Sequence, residues 1–227
     1  MREILQLLFP ISCLVCESPG ANICTVCYRT IDPRVRQREI DGSKLWAGAN
    51  YGEQLAKIIL LAKEQNNSPA RDFLADLIVQ TFMAASREFD TKNSIFIPVP
   101  SSRSANRVRG FRHALLLSRV AGKKIEKMNE TKIEVRELLE VNRKIADQSN
   151  LNKAERLSNL SGAYSVSNLK KESVPDLNNY PIFLIDDLVT TGSSTREGLR
   201  ALNEAGFDPY GVLSAGVSPQ VSMRAFS

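Results

Sequence analysis

Hydrophobic and polar positions follow two periods along the chain, and these periods predict both helices and strands. Apolar residues spaced three or four apart predict amphipathic helices over 53–65, 72–88 and 111–120. Short apolar runs bounded by proline or polar residues predict strands over 95–100, 133–139 and 164–166. Helices and strands therefore alternate along one chain.

The last third of the chain has the clearest pattern. A strand is predicted over 182–185, a helix over 194–205 closed by Gly206, and a second strand over 211–217. A strand, helix and strand in this order form a βαβ unit, which implies a parallel sheet. The predicted fold class is α/β with a mostly parallel central sheet.

The four cysteines all fall within the first 27 residues, as Cys13-x2-Cys16 and Cys24-x2-Cys27. Each pair has the spacing that turns two thiolates toward one cation, and four thiolates suit a tetrahedral zinc ion. Such a closed set leaves no position for a catalytic water, so the zinc would be structural. The alternative is four buried free cysteines.

Residues 28–50 have the polar, basic character of a linker. We therefore divide the chain into a zinc-binding module with its linker, 1–48, and a main α/β domain, 49–227. A polar segment over 141–160 and a surface loop over 170–180 interrupt the main domain.

Composition narrows the class of protein. With 43% hydrophobic and 24% charged residues the chain is expected to fold, and no apolar run reaches the roughly 18 residues of a bilayer span. Clustered cysteines and the absence of a secretory signal pattern lead us to expect a cytoplasmic protein.

Charge is unevenly distributed. The net charge is +5, but residues 101–171 hold sixteen Lys or Arg against seven Asp or Glu, a local +9. A polyanion, above all single-stranded DNA, is therefore a hypothetical partner of this segment.

The most informative stretch lies where the strand 182–185 ends. Asp186 and Asp187 can accept hydrogen bonds from two neighbouring hydroxyls, as on a ribose. A hydroxyl- and glycine-rich turn that opens a helix can cradle a phosphate; it comprises Thr190, Thr191, Gly192, Ser193 and Ser194. Together these residues predict a ribose 5-phosphate site. In the alternative, the acids merely end a strand and a serine caps the helix.

This stretch resembles the signature of type I phosphoribosyltransferases, and other motifs narrow the resemblance to the ComF family. They are the four-cysteine module, Ile97-Pro98-Val99-Pro100, Arg109-Gly110-Phe111, Asp147-Gln148 through Glu155-Arg156, and Asn159. The resemblance spans nearly the whole chain. It implies a zinc ribbon joined to a phosphoribosyltransferase domain.

The resemblance also implies site residues for phosphoribosyl pyrophosphate (PRPP). Asp186 and Asp187 would bind the ribose hydroxyls, and residues 190–194 the 5-phosphate. The pyrophosphate loop would contain Pro100, Ser101 and Ser102. Mg²⁺ would accompany PRPP.

Basic and polar side chains complete the predicted site. Guanidinium groups suited to phosphate follow the loop at Arg103, Arg107, Arg109 and Arg112, although a solvated basic helix face is the alternative. A hood over the ligand would carry Arg143, Lys144 and Gln148. His113, the single histidine, is expected to be capping or solvated rather than catalytic.

The function implied is PRPP binding connected with natural competence and DNA uptake, with phosphoribosyltransferase activity as a plausible consequence of the fold. Two alternatives stay open: an active nucleobase or other phosphoribosyltransferase of nucleotide metabolism, and a non-catalytic DNA- or protein-binding module with a retained PRPP site. Competence proteins are hypothetical partners, and an oligomer is compatible with the sequence.

Overall fold

The computed structural model of the chain describes residues 11–88, 92–101, 103–128, 130–142, 162–166 and 180–221. Its helices are α1 (Thr25–Ile31), α2 (Glu53–Glu64), α3 (Ser68–Ala85), α4 (Arg103–Arg109), α5 (His113–Met128) and α6 (Ser193–Glu204). Its strands are β1 (Arg36–Ile40), β2 (Ser43–Asn50), β3 (Asn93–Pro98), β4 (Lys132–Val135), β5 (Leu139–Val141), β6 (Tyr164–Val166), β7 (Ile182–Val189) and β8 (Gly211–Val217). No helix within the described ranges has the length and apolar character to cross a bilayer.

Six strands form one sheet in the order β1-β2-β8-β7-β3-β4. Only the β1–β2 pair is antiparallel, and the other four pairs are parallel. The predicted α/β class with a mostly parallel sheet is confirmed, as is the unit formed by β7, α6 and β8. Strands β5 and β6 form a separate antiparallel pair.

The sheet is covered on both faces because its strands alternate their apolar side chains. Phe183 and Ile185 of β7 lie in a cluster with α2, α3 and α5, whereas Ile182 and Leu184 lie in a second cluster with α6, β5 and β6. Phe82 of α3 reaches Phe183 edge to face, with ring centroids 5.9 Å apart. Because both faces of β7 are buried, its first four residues form a continuous apolar run.

The prediction of a linker over 28–50 is wrong. This range contains most of α1 and the whole of β1 and β2, and β2 pairs with β8 from Leu45 opposite Val212 to Asn50 opposite Val217. Leu45, Trp46, Ala47 and Ala49 are fully buried in it. Strand β1 lies at the edge of the sheet and is mostly polar, so in the sequence it resembles a linker.

Two other boundaries differ from the sequence prediction. Helix α3 begins at Ser68, because Asn67 caps it by accepting a 2.9 Å hydrogen bond from the Ala70 amide. The predicted strand over 133–139 is two strands, β4 and β5, which belong to different sheets. The segment between them turns away from the main sheet after Val135.

Candidate functional site

The four cysteines lie together, as predicted. The sulfur atoms of Cys13, Cys16, Cys24 and Cys27 are all within 4.8 Å of one another, and the Sγ atoms of Cys16 and Cys24 are 3.6 Å apart. Four sulfurs around a tetrahedral zinc ion, each at about 2.3 Å, would be separated by about 3.8 Å. The cluster therefore fits a four-coordinate metal ion.

The electrostatics of the cluster also fit a cation. Burial raises the pKa of Cys13, but amide hydrogen bonds from Cys16, Cys24 and Val15 outweigh it and lower the pKa to about 6. Burial, reinforced by the other three thiols, raises the pKa of Cys27 to about 12. Four thiols this close cannot all ionise without a positive charge among them, which a bound metal supplies.

The cysteine module rests against the main sheet's helices. Lys57 of α2 donates a 2.7 Å hydrogen bond to the Val15 carbonyl, and Tyr28 of α1 meets Phe73 of α3 edge to face. Ile31 belongs to the core cluster itself. The module is thus packed onto α2 and α3.

The acid pair lies inside β7 rather than beyond its end. Asp186 and Asp187 are 9% and 5% exposed, and Asp186 stands opposite Ser214 of β8 in the sheet register. The predicted strand end at 185 was four residues too early, because β8 continues alongside β7 as far as Val217. The carboxylates therefore belong to the buried carboxyl half of the strand.

Two basic side chains from other elements approach Asp187. Its Oδ2 atom is 3.3 Å from Nζ of Lys63, in the last turn of α2, and 3.3 Å from Nε2 of His113, the first residue of α5. These are ion-pair distances without hydrogen-bond alignment, and among the described residues neither nitrogen of His113 has a hydrogen-bonded partner. His113 begins a helix as expected, but it is only 2% exposed, so the expectation of a solvated side chain is wrong.

The two carboxyl groups are shifted in opposite directions. Burial would raise the pKa of Asp187, but the Lys63 ammonium and then the His113 ring hold that pKa below its usual range. Burial, followed by the charge of Asp187, raises the pKa of Asp186 well above its usual value. The ionised form is therefore favoured at Asp187 and disfavoured at Asp186.

The predicted phosphate turn follows β7 directly. Gly192 has φ 77°, in the left-handed region, and caps α6 without a side-chain hydrogen bond. The hydroxyls of Thr191 and Ser193 are 2.8 Å apart, while Thr190 is exposed. Since the first amides of a helix have no intrahelical acceptor, this turn offers donors to an anion.

Arg196 secures this turn, although sequence reasoning did not single it out. Its Nη1 atom donates to the Thr191 carbonyl at 2.8 Å, and its Nε atom donates to Asp41, between β1 and β2, at 3.0 Å. A hairpin and a helix far apart in sequence thus fix the turn together. In the sequence Arg196 is an ordinary arginine of a predicted helix, so nothing there indicates this role.

The loop after β3 lies beside β7, because the Val99 amide donates to the Ile185 carbonyl at 2.9 Å. Pro100 and Ser101 of this loop line a pocket of about 410 Å³. The pocket is also lined by Asn106, Arg112, His113, Glu137 and residues 139–141. The loop and the turn before α6 therefore emerge from adjacent parallel strands at one edge of the sheet.

The predicted arginines are distributed differently. Arg107 is exposed, Arg109 places Nε 3.1 Å from both carboxylate oxygens of Glu64, and Arg112 pairs with Glu137 at 2.7 Å. Ser102 and the hood residues Arg143, Lys144 and Gln148 lie outside the described residues, as does the side chain of Arg103. Ion pairs thus take up part of the charge that the sequence assigned to a phosphate or to DNA.

No protein-family model and no curated protein matches this chain. The described residues define an α/β protein with a mostly parallel six-stranded sheet and a four-cysteine cluster near the N-terminus.

Proposed function

We propose that this protein binds PRPP at the carboxyl edge of its sheet, as a type I phosphoribosyltransferase-like protein of the ComF kind. The observation that carries the proposal is the adjacency of the hydroxyl- and glycine-rich turn 190–194 and the loop 98–101, which follow the neighbouring strands β7 and β3. Ligands of open parallel sheets bind at this edge. PRPP carries phosphate groups on both sides of a ribose, so it would span the turn and the loop, with the carboxyl groups of β7 beside the ribose.

Each part of PRPP has a counterpart in the proposal. The turn before α6 would hold the 5-phosphate with backbone amides and hydroxyls, and the loop after β3 would hold the pyrophosphate. Asp186 would accept hydrogen bonds from ribose hydroxyls, while Lys63 and His113 hold Asp187 in place behind it. Mg²⁺ would enter with the pyrophosphate, because oxygen ligands and phosphates suit it.

Catalysis would follow from this arrangement if an acceptor attacks the anomeric carbon of PRPP. The bond to pyrophosphate breaks through an oxocarbenium-like transition state, and pyrophosphate leaves with its electron pair. The protein's residues then contribute positioning and charge neutralisation rather than a nucleophile. The resemblance to the ComF family supports connecting this site with DNA uptake.

The cysteine cluster has a separate proposed role as a structural zinc site. Four thiol ligands at mutual distances suited to tetrahedral coordination support zinc, and a closed thiolate set serves folding rather than chemistry. Zinc would hold together a module too small to bury a core of its own.

Isothermal titration with PRPP and Mg²⁺ tests the proposal. We expect saturable binding by the wild type and a loss of about threefold to tenfold in Asp186→Asn, because the amide nitrogen replaces one carboxyl oxygen and one hydrogen bond contributes about 0.5–1.5 kcal/mol. Asp208→Asn, an exposed aspartate near the opposite edge of the sheet, serves as the matched control. Absence of PRPP binding by the wild type, or equal affinity in both variants, would contradict the assignment.

A further inference from the structure

Tyr164, the first residue of β6, is fixed to helix α6 through its backbone. Its amide donates to Oε1 of Glu197 at 2.9 Å, and its carbonyl accepts from Nη2 of Arg200 at 2.9 Å. Glu197 is itself 4% exposed and paired with Arg200 at 2.7 Å. The position of the tyrosine relative to α6 is therefore set without its hydroxyl.

The hydroxyl of Tyr164 contacts the loop after β3. It donates to the Pro100 carbonyl at 3.3 Å, and because a carbonyl only accepts, the tyrosine is the donor. Since its backbone is bonded to α6, Tyr164 links this helix to the loop.

The proton needed for this link is retained at neutral pH. Tyr164 is 3% exposed, and burial raises the pKa of its hydroxyl to about 12. The phenol therefore stays neutral and keeps its hydrogen for the Pro100 carbonyl.

We propose that Tyr164 is a positioning residue, whose hydroxyl holds the loop 98–101 at a set distance from the turn before α6. The inference rests on the proposed function, in which these two turns bind the two ends of one ligand. A ligand that spans both turns benefits from their fixed separation, because the cost of ordering them has already been met in the free protein. A ligand that occupies one turn does not depend on the separation.

Tyr164→Phe removes the hydroxyl and keeps the ring and the backbone contacts. We expect PRPP with Mg²⁺ to bind about fivefold to tenfold more weakly, the effect of one neutral hydrogen bond, while ribose 5-phosphate changes less than about twofold. Tyr28→Phe, whose side chain is exposed on the cysteine module, should change neither affinity. Equal losses for both ligands, or no loss for PRPP, would overturn the positioning role.

Hydrogen–deuterium exchange without ligand provides a second readout. The Val99 amide, bonded to Ile185, and the neighbouring Ser101 amide should exchange several times faster in Tyr164→Phe than in wild type or Tyr28→Phe. If the wild type binds neither ligand, the proposed function fails. Faster exchange would still support the link between the loops, and unchanged exchange would overturn it.

Discussion

Ionisable side chains are concentrated in two regions, the cysteine cluster and the acid-bearing edge of the sheet, and different groups surround them in each. The cluster gathers four thiols from a stretch of fifteen residues, and their sulfur atoms contact one another, the Ser18 hydroxyl and backbone amides. The sheet edge gathers two carboxyl groups from one strand, and Lys63 and His113 from two helices lie beside one of them.

This difference indicates how each region is stabilised. If the cluster binds zinc, as proposed, its folding should depend on metal. The edge contains its own cation, Lys63, so it should be formed before any ligand arrives.

Cys24→Ser should abolish the proposed zinc site. Cys24 contacts Cys16 and caps α1, so its loss removes a ligand and a helix cap together. We expect bound zinc, measured by elemental mass spectrometry, to fall from about one per chain to near zero. Proteolysis should then begin within residues 11–31.

Ser12→Ala is the matched control for this change, because Ser12 is exposed in the same module. Its zinc content should equal that of the wild type. Wild-type protein that contains no zinc, although it was purified without chelators, would contradict the proposed zinc site.

Lys63→Met should destabilise the protein at neutral pH, since it leaves Asp187 with one cation fewer. We expect the free energy of unfolding, measured with denaturant, to fall by about 2 kcal/mol. This is less than the roughly 3–5 kcal/mol lost when a fully buried pair is broken, because Lys63 is partly solvated. The Asp187 carboxylate has a lowered pKa, so its stabilisation is fully present above the unfolded value of about 3.9 and is lost progressively as pH falls from there through the lower folded pKa. The deficit should therefore shrink toward pH 3.

Lys127→Met, an exposed lysine near the end of α5, provides the control and should cost at most a few tenths of a kcal/mol. Equal effects of the two substitutions would show that the Lys63–Asp187 contact contributes nothing.

Asp186→Asn should weaken PRPP binding yet stabilise the free protein. The raised pKa of Asp186 means that its contribution to stability is present below about pH 4 and is lost as pH rises through the higher folded value. Asparagine does not ionise, so it does not suffer this loss, and its side-chain oxygen can still accept the hydrogen bond from the Asp187 amide. We expect a Tm higher by about 2–4 °C at pH 8, with a smaller gain at pH 4.

A lower Tm at pH 8 in Asp186→Asn would mean that the ionised carboxylate stabilises the fold. That result would contradict the view of Asp186 as a strained group retained for a ligand.

Gly192→Ala should have a smaller effect, confined to the turn before α6. The left-handed backbone there costs an alanine about 1–2 kcal/mol, and its Cβ would lie 3.3 Å from Nη1 of Arg196. We expect a corresponding fall in the free energy of unfolding and weaker ribose 5-phosphate binding. Gly52→Ala, at the N-cap of α2 with φ −153° and open space around it, should leave ribose 5-phosphate binding unchanged and cost less stability.

The sequence predicted the cysteine cluster because its ligands are close in the chain and their spacing reports the geometry directly. It also predicted the βαβ unit, whose strands are long apolar runs. It missed β1 and β2 because an edge hairpin with polar residues resembles a linker. Lys63 and Arg196 were equally invisible, since a lysine or arginine on a helix is ordinary until the fold brings it to a carboxylate.

The most direct test of the central claim is a crystal structure of the protein with PRPP and Mg²⁺. We expect the 5-phosphate at the turn 190–194, the pyrophosphate at the loop 98–101, and a ribose hydroxyl within hydrogen-bond distance of Asp186. PRPP bound elsewhere, or crystals grown at saturating PRPP with an empty carboxyl edge, would contradict it.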